Sequence, residues 1–359
     1  MRRVIGVLAA LVLLGGVAYA VLRPEGGPKL TEVRILIGSE KAEFFNDPAV
    51  AEEFRAKGFD VRSQTIGSWS MASTNLDGYG MVFPASRGPA EEVAQKRGIS
   101  TEPVRPFYSP LVMIANERTA QVLLENQLAT RKDGRVWTLD MRGYLNAVKA
   151  DRRWTDLKGV DGSPELRGDL IATSTDPATS SSGALYLAAA AYLENGDRVV
   201  ADSAGQQKVG PLLNKLTAKQ GDQKTSSDGP FKDFLSGVGR PLVLVYESQV
   251  AAMAIQGTTV KDLVVLYPDT TVSSDHTALG LTSDGWKIAE LLRDDPKLTA
   301  LAATHGFRPQ ARPEAFVNAF KEQGTAQFAK SLTEAGIVQA QPPTVQVLNE
   351  LVTAAKAKS

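Results

Sequence analysis

The sequence predicts an α/β fold of two lobes joined by a hinge, with a cleft between the lobes and an apolar helix ahead of them. Three observations point there. Short β-rich runs alternate with helical stretches, the spacing of a parallel or mixed sheet with helices on its faces. Two strong strands flanked by crossover signals, at 104–115 and 241–247, mark where the chain leaves one lobe and returns. With 359 residues the chain is long enough for about two domains.

The elements follow in order. Met1-Arg2-Arg3 precedes an apolar or small run from Val4 to Leu22, and then comes a Pro/Gly-rich RPEGGPK. A positive start and a long apolar run read as an export signal, with Ala18-Tyr19-Ala20 as an A-x-A cleavage site. The run also approaches the roughly 20 residues that span a bilayer. Residues 1–23 are therefore expected to be a signal peptide or a membrane anchor, and 24–30 a linker. The arginine pair stays in the cytoplasm by the positive-inside tendency, which puts the remainder outside, anchored at the outer face of the cytoplasmic membrane or secreted.

EVRILIGS (32–39) is a strand ending in Gly-Ser, followed by a helix opened by Pro48 and closed by Gly58. DVRSQTIGS and GYGMVFPAS are the next strands. In VRPFYSPLVMIAN (104–116), Pro106 and Pro110 bracket aromatic residues, which suits an edge or a crossover because proline has no N–H for an interior ladder. A helix is expected over 117–130, a strand in GDLIATST, a helix after SSSG at 180–183, another near 205–220, and a strand entering a helix at 239–257. DLVVLYPDTTVSSDHTALGLT reads as two strands about Pro268, and amphipathic helices follow from Ser283, with Trp286, Leu291, Leu292, Leu298 and Leu301 on buried faces. The expected division is an outer lobe of 31–107 and 243–359 with a lobe of 108–242 inserted into it.

Composition excludes several function classes. Forty basic and forty acidic residues balance with no long single-sign block, which argues against nucleic acid as a partner. Cysteine is absent, so there is no thiolate nucleophile and no Cys-based metal site. The two histidines, His276 and His305, read as capping or core residues rather than general bases. No G-x-S-x-G, H-E-x-x-H or Walker loop is present. A binding protein is expected, not an enzyme, with no catalytic residues, metal ligands or cofactor.

The chemistry concentrates in STDPATSSSG (174–183), where a predicted strand ends and a nearly all-apolar helix begins. Open α/β sheets bind ligands at strand carboxyl ends, where a following helix offers unpaired N–H groups and a partial positive charge. The hydroxyls of Ser180, Ser181 and Ser182, with Gly183 allowing close backbone approach, would cradle an oxyanion. One helix cap needs one hydroxyl, and here there is a surplus. Association costs an estimated 4–15 kcal/mol, so a second donor set is expected from the opposite lobe. Ser39, Ser68 and Ser86 follow the first three strands, and Tyr246 stands at the returning crossover.

These residues resemble the type 2 periplasmic-binding-protein family, the extracytoplasmic solute-binding proteins of ABC importers, and most of all its molybdate, tungstate, sulfate and phosphate binders. Gly38-Ser39, Thr175-Asp176-Pro177 with Ser182-Gly183, and Val245-Tyr246-Glu247 carry the likeness. The resemblance implies a small anion held between the lobes by Ser39, the 180–183 segment and Tyr246, and delivery to an ABC permease. The alternative is a membrane-anchored orphan sensor or accessory protein with no transporter of its own. Two departures bear on this. The family's lipid-anchoring cysteine is missing, and Glu40, Asp176 and Glu247 stand beside the proposed donors. A fully ionised oxyanion facing such a carboxylate would be repelled, whereas phosphate still carries a proton to donate.

Overall fold

The computed structural model describes residues 29–132, 135–258, 261–320 and 327–357, so the expected export segment lies outside the described residues. The chain first runs through β1 (Thr31–Ile37), α1 (Ala42–Asn46), α2 (Pro48–Ala56), β2 (Phe59–Thr65), β3 (Met81–Phe83), α3 (Arg87–Arg97) and β4 (Val104–Tyr108). It then crosses to a second sheet with β5 (Leu111–Asn116), α4 (Glu117–Glu125), β6 (Ala129–Lys132), β7 (Val136–Leu139), α5 (Met141–Lys149), α6 (Ser181–Glu194), α7 (Ser203–Ala218), α8 (Asp228–Leu235), β8 (Leu242–Tyr246), α9 (Glu247–Ile255), β9 (Leu263–Pro268) and β10 (Thr270–Val272). It returns with β11 (Asp275–Gly280), α10 (Ser283–Asp294), α11 (Pro296–Thr304) and β12 (Arg308–Pro309). It crosses once more for α12 (Glu314–Ala319), β13 (Val338–Ala340) and α13 (Val345–Ala355).

The first lobe is a six-stranded mixed sheet in the order β12-β4-β11-β3-β1-β2, and the second a five-stranded sheet in the order β6-β7-β9-β5-β8. Both are buried on two faces, which the alternation of side chains shows directly. In β5, Leu111, Met113 and Ala115 enter one core while Val112 and Ile114 enter the other. β8 repeats the pattern with Leu242, Leu244 and Tyr246 against Val243 and Val245. Continuous apolar runs of this kind need helices on both sides.

The expected crossover within 104–116 is present: β4 and β5 belong to different sheets, with Ser109-Pro110 between them. The return differs from expectation. β8 pairs antiparallel with β5 across all five of its residues, so the chain does not change lobe at 242. It changes at Ser273-Ser274, and the C-terminal segment after β12 crosses again instead of completing the outer lobe. An apolar run buried on both faces carries no mark of the sheet it joins, which is why 242 looked like a boundary. GDLIATST also forms no strand. It contributes single bridges, Thr173 to Val243 and Asp169 to Arg153. The helix expected over 117–130 ends at Glu125, and β6 follows. Leu292 and Leu298 are fully buried as expected, with Trp286, Leu291 and Leu301 partly buried beside them.

An ion pair ties the lobes. Arg308 on β12 of the first sheet meets the Glu247 carboxylate at the start of α9 in the second, with an Nη2–Oε1 distance of 2.7 Å, and both side chains are buried. The Tyr267 hydroxyl donates to the same carboxylate. Replacing Arg308 with Met leaves a buried, uncompensated carboxylate and is expected to cost about 3–5 kcal/mol in chemical denaturation; a loss below about 1 kcal/mol would show that the pair does not hold the lobes.

Candidate functional site

The carboxyl ends of the parallel strands β1, β2 and β3 lie at one edge of the first sheet and lead into Ser39, Ser68 and Ser86. The facing lobe presents the start of α6 and of α9. The lobes touch through these termini. The Trp69 backbone N–H donates to the Thr179 carbonyl at 3.0 Å, and the Ser86 and Ser181 hydroxyls are 2.8 Å apart across the junction. Trp69 and Ala85 of the first lobe pack into the core of the second.

Helix caps divide the molecule. α2, α4, α5, α7, α10, α11 and α13 each start with a side chain that accepts a hydrogen bond from the first turn: Asp47, Asn116, Asp140, Asp202, Thr282, Asp295 and Thr344. α3 and α6 also start with good capping residues, Ser86 and Ser180, yet neither makes the capping bond. Their hydroxyls point elsewhere, so the first N–H groups of both helices stay available at the junction.

The hydroxyls form short chains. Ser182 lies 2.8 Å from Thr175 and 3.0 Å from Ser180, and Ser86 meets Ser181. Each hydroxyl has one proton to donate, so every such chain leaves one donor over. Ser68 is engaged as an acceptor for the Ala85 N–H at 3.1 Å. Gly183 serves the loop rather than a ligand: a Cβ there would strike the Thr175 carbonyl and come within 3.0 Å of the Pro177 nitrogen. The loop is held from behind by Tyr144, whose hydroxyl accepts from the Ala172 N–H at 2.9 Å and meets Tyr186 of α6.

Beneath Ser39 lies a charge cluster. Lys41 is fully buried, bonded to Glu40, and its Nζ lies 3.1 Å from His276 Nδ1 on β11. Burial lowers the Lys41 pKa and Glu40 partly restores it. Burial, and then the Lys41 charge, hold His276 well below the ordinary imidazole range, so the ring is neutral. A neutral imidazole that accepts from Lys41 at Nδ1 carries its proton on Nε2. That Nε2 is buried without a protein partner. Ser39 Oγ and the Tyr246 hydroxyl are buried without a partner as well. Burial pushes the Tyr246 phenol well up, the Glu40 charge adds to this, and the nearby Ser274 and Ser182 hydroxyls pull it back. Tyr246 therefore stays protonated. Its ring and that of His276 are 5.5 Å apart. The junction thus holds three orphaned donors, two from the first lobe and one from the second.

The neighbouring carboxylates are accounted for. Glu247 is held by Arg308 and Tyr267, and Asp176 pairs with Lys356 at 2.7 Å on the far side of its loop. Glu40 remains at the junction with its charge matched by Lys41. Lys41 and the role of His276 escaped sequence reasoning. The only trace was the Lys following Gly-Ser-Glu, and lysine is almost never fully buried. His305 sits at the end of α11, with its Nε2 2.8 Å from Asp47.

No family model and no curated protein matches the chain. Solved structures do. The periplasmic thiamin binding protein superimposes with a TM-score of 0.54 at 14% identity, covering 94% of this chain and 100% of that one. The periplasmic binding protein AfuA from Actinobacillus pleuropneumoniae, with exogenous fructose-6-phosphate bound, gives 0.56 at 12% identity over 91% and 99%. The sulfate-binding protein SubI from Mycobacterium tuberculosis H37Rv gives 0.50 at 15% over 89% and 96%. The chain has the type 2 periplasmic-binding-protein fold. In this fold the junction just described lies between the two sheets that the chain crosses, with Ser39, Ser86, Ser180, Ser181, Ser182 and Tyr246 brought to it and Ser68 and Gly183 supporting it from within the lobes.

The neutral state of His276 sets the sign of one pH effect. Its folded pKa is depressed, so below about pH 6.5 the unfolded chain binds a proton that the folded chain refuses. Stability should fall as pH drops from 7 toward 5, by up to about 1.4 kcal/mol per unit from this group. His276→Gln should flatten that slope in denaturation series; an unchanged slope would mean that the ring takes up its proton as readily in the fold as in the unfolded chain.

Proposed function

We propose that the chain is an extracytoplasmic solute-binding protein, a carrier and not an enzyme, that closes its two lobes on a small solute through an anionic group and delivers it to an ABC-type permease. The observation that carries this reading is the set of buried donors without acceptors: Ser39 Oγ, the Tyr246 hydroxyl and His276 Nε2. An unsatisfied buried donor costs about 1–3 kcal/mol, and an anion satisfies several at once because it only accepts. The uncapped starts of α3 and α6 add partial positive charge at the same junction. Donors from both lobes give the anion a reason to draw them together. The sulfate and fructose-6-phosphate named for two structural relatives are consistent with such a group. The apolar run at 4–22 would place the protein outside the cytoplasmic membrane, cleaved or anchored.

Titrating the full chain with phosphate, sulfate, molybdate and tungstate while following thermal unfolding tests the reading. Ligand at about 100 times Kd should stabilise by roughly 2.7 kcal/mol. Ser39→Ala and Tyr246→Phe should each weaken the best oxyanion about tenfold or more, the loss expected for one hydrogen bond to a charged group. No stabilisation by any oxyanion or organic acid would overturn the proposal.

A further inference from the structure

Next to the junction, and sharing Ser39 and Glu40 with it, a cleft of about 310 Å³ runs between the lobes. A water occupies about 30 Å³ of liquid, so the cleft has room for about ten non-hydrogen atoms, more than the handful in an inorganic oxyanion. Its lining is of two kinds. Glu40 and Glu43 of the first lobe face Asp228 of the second, and Phe44, Phe307 and Phe231 supply aromatic walls. Among the described residues, the one lysine at the rim, Lys232, is largely exposed and lies 3.6 Å from Asp228, one helical turn away on α8. Burial pushes the Asp228 carboxyl above its ordinary range, Lys232 pulls it back, and the charges of Glu40 and Glu43 push it up again. Asp228 also accepts from Gln249 at 3.1 Å, and Glu40 is already paired with Lys41, so the charges left incompletely compensated are those of Asp228 and the exposed Glu43.

An independent sign of a ligand comes from the opposite wall. Ser248, on the first turn of α9, is 1% exposed, lines the cleft, and has a hydroxyl with no partner. Among the described residues, no three carboxylate or imidazole side chains come close enough to chelate a metal ion. Carboxylates beside aromatic rings in a half-enclosed slot suit an ammonium or another organic cation, which gains from both.

We propose that the solute is amphoteric: its acidic group meets the donors at Ser39, Tyr246 and His276, and a protonated amine or other organic cation occupies the cleft between Glu43 and Asp228. This rests on the solute-binding reading of the junction, and it adds that the solute is organic and carries both charges. Ser39 and Glu40 then mark the boundary between its two halves.

Matched pairs separate the two ideas. Calorimetric titration of the full chain should compare O-phosphoethanolamine with ethyl phosphate, and β-alanine with propionate, each pair differing in one ammonium group. In at least one pair the ammonium member should bind about tenfold tighter or better, a difference of about 1.4 kcal/mol. In the Asp228→Asn/Glu43→Gln double variant that advantage should shrink to about threefold or less, because the facing charge is gone. If the anions bind but the ammonium brings no gain, or if the gain survives in the double variant, the amphoteric assignment falls and the binding-protein reading stands. If none of the four probes and no inorganic oxyanion binds, both fall.

Discussion

Everything at the lobe junction depends on where the chain changes sheet. Two crossings, Ser109-Pro110 and Ser273-Ser274, run side by side, joined where the Ser109 N–H donates to the Ser274 carbonyl at 3.3 Å. Ser109 also accepts from the Ser248 N–H at 2.9 Å, and Ser274 donates to the Ala85 carbonyl at 2.9 Å. The hinge is therefore bonded directly to the starts of α9 and α3, the same termini that face the candidate solute. Because β1, β2 and β3 are parallel, their carboxyl ends arrive together, and the single constraint of the paired crossings turns that edge toward α6. A hinge of this kind converts a small rotation of one lobe into a change of spacing between donors.

The distribution of caps and orphaned groups follows one division. Away from the junction, seven helix starts are closed by aspartate, asparagine or threonine, which satisfies the backbone locally and contributes about 0.5–2 kcal/mol per helix. At the junction, serines occupy the cap positions of α3 and α6, but Ser86 turns across the gap to Ser181 and Ser180 turns to Ser182 at the start of its own helix. Local stability is forgone where polar groups must remain ready for an outside partner, the usual pattern when a site breaks the rules that the rest of a fold obeys.

Much of this was legible in the sequence. The alternation of strands and helices, the first crossover at 104–116 and the hydroxyl surplus at 180–182 rest on short-range signals, and each corresponds to an element of the structure. What was not legible depends on long-range pairing. Lys41 is buried because β11 brings His276 beside it from 235 residues away, and Glu247 is neutralised by an arginine 61 residues downstream. Neither partner can be inferred from its neighbours. The second crossover was misplaced because β8, buried on both faces, looks the same in either sheet. Gly183 was expected to let its backbone approach a ligand closely, whereas the group that approaches it in the structure is the Thr175 carbonyl of its own loop.

The apolar character of α6 has a consequence for the energetics of capture. Only Tyr192 and Glu194 of this helix are even partly accessible, and every other residue is packed between the second sheet and its neighbouring helices. A helix packed on all sides has little room to reorient, so the N–H groups at its start hold their direction without a solute. The motional freedom of those donors was surrendered when the lobe folded, and binding does not have to remove it again. For the acidic group of the proposed solute, which has little apolar surface to bury, that prior ordering would let a handful of hydrogen bonds offset more of the translational freedom lost on binding.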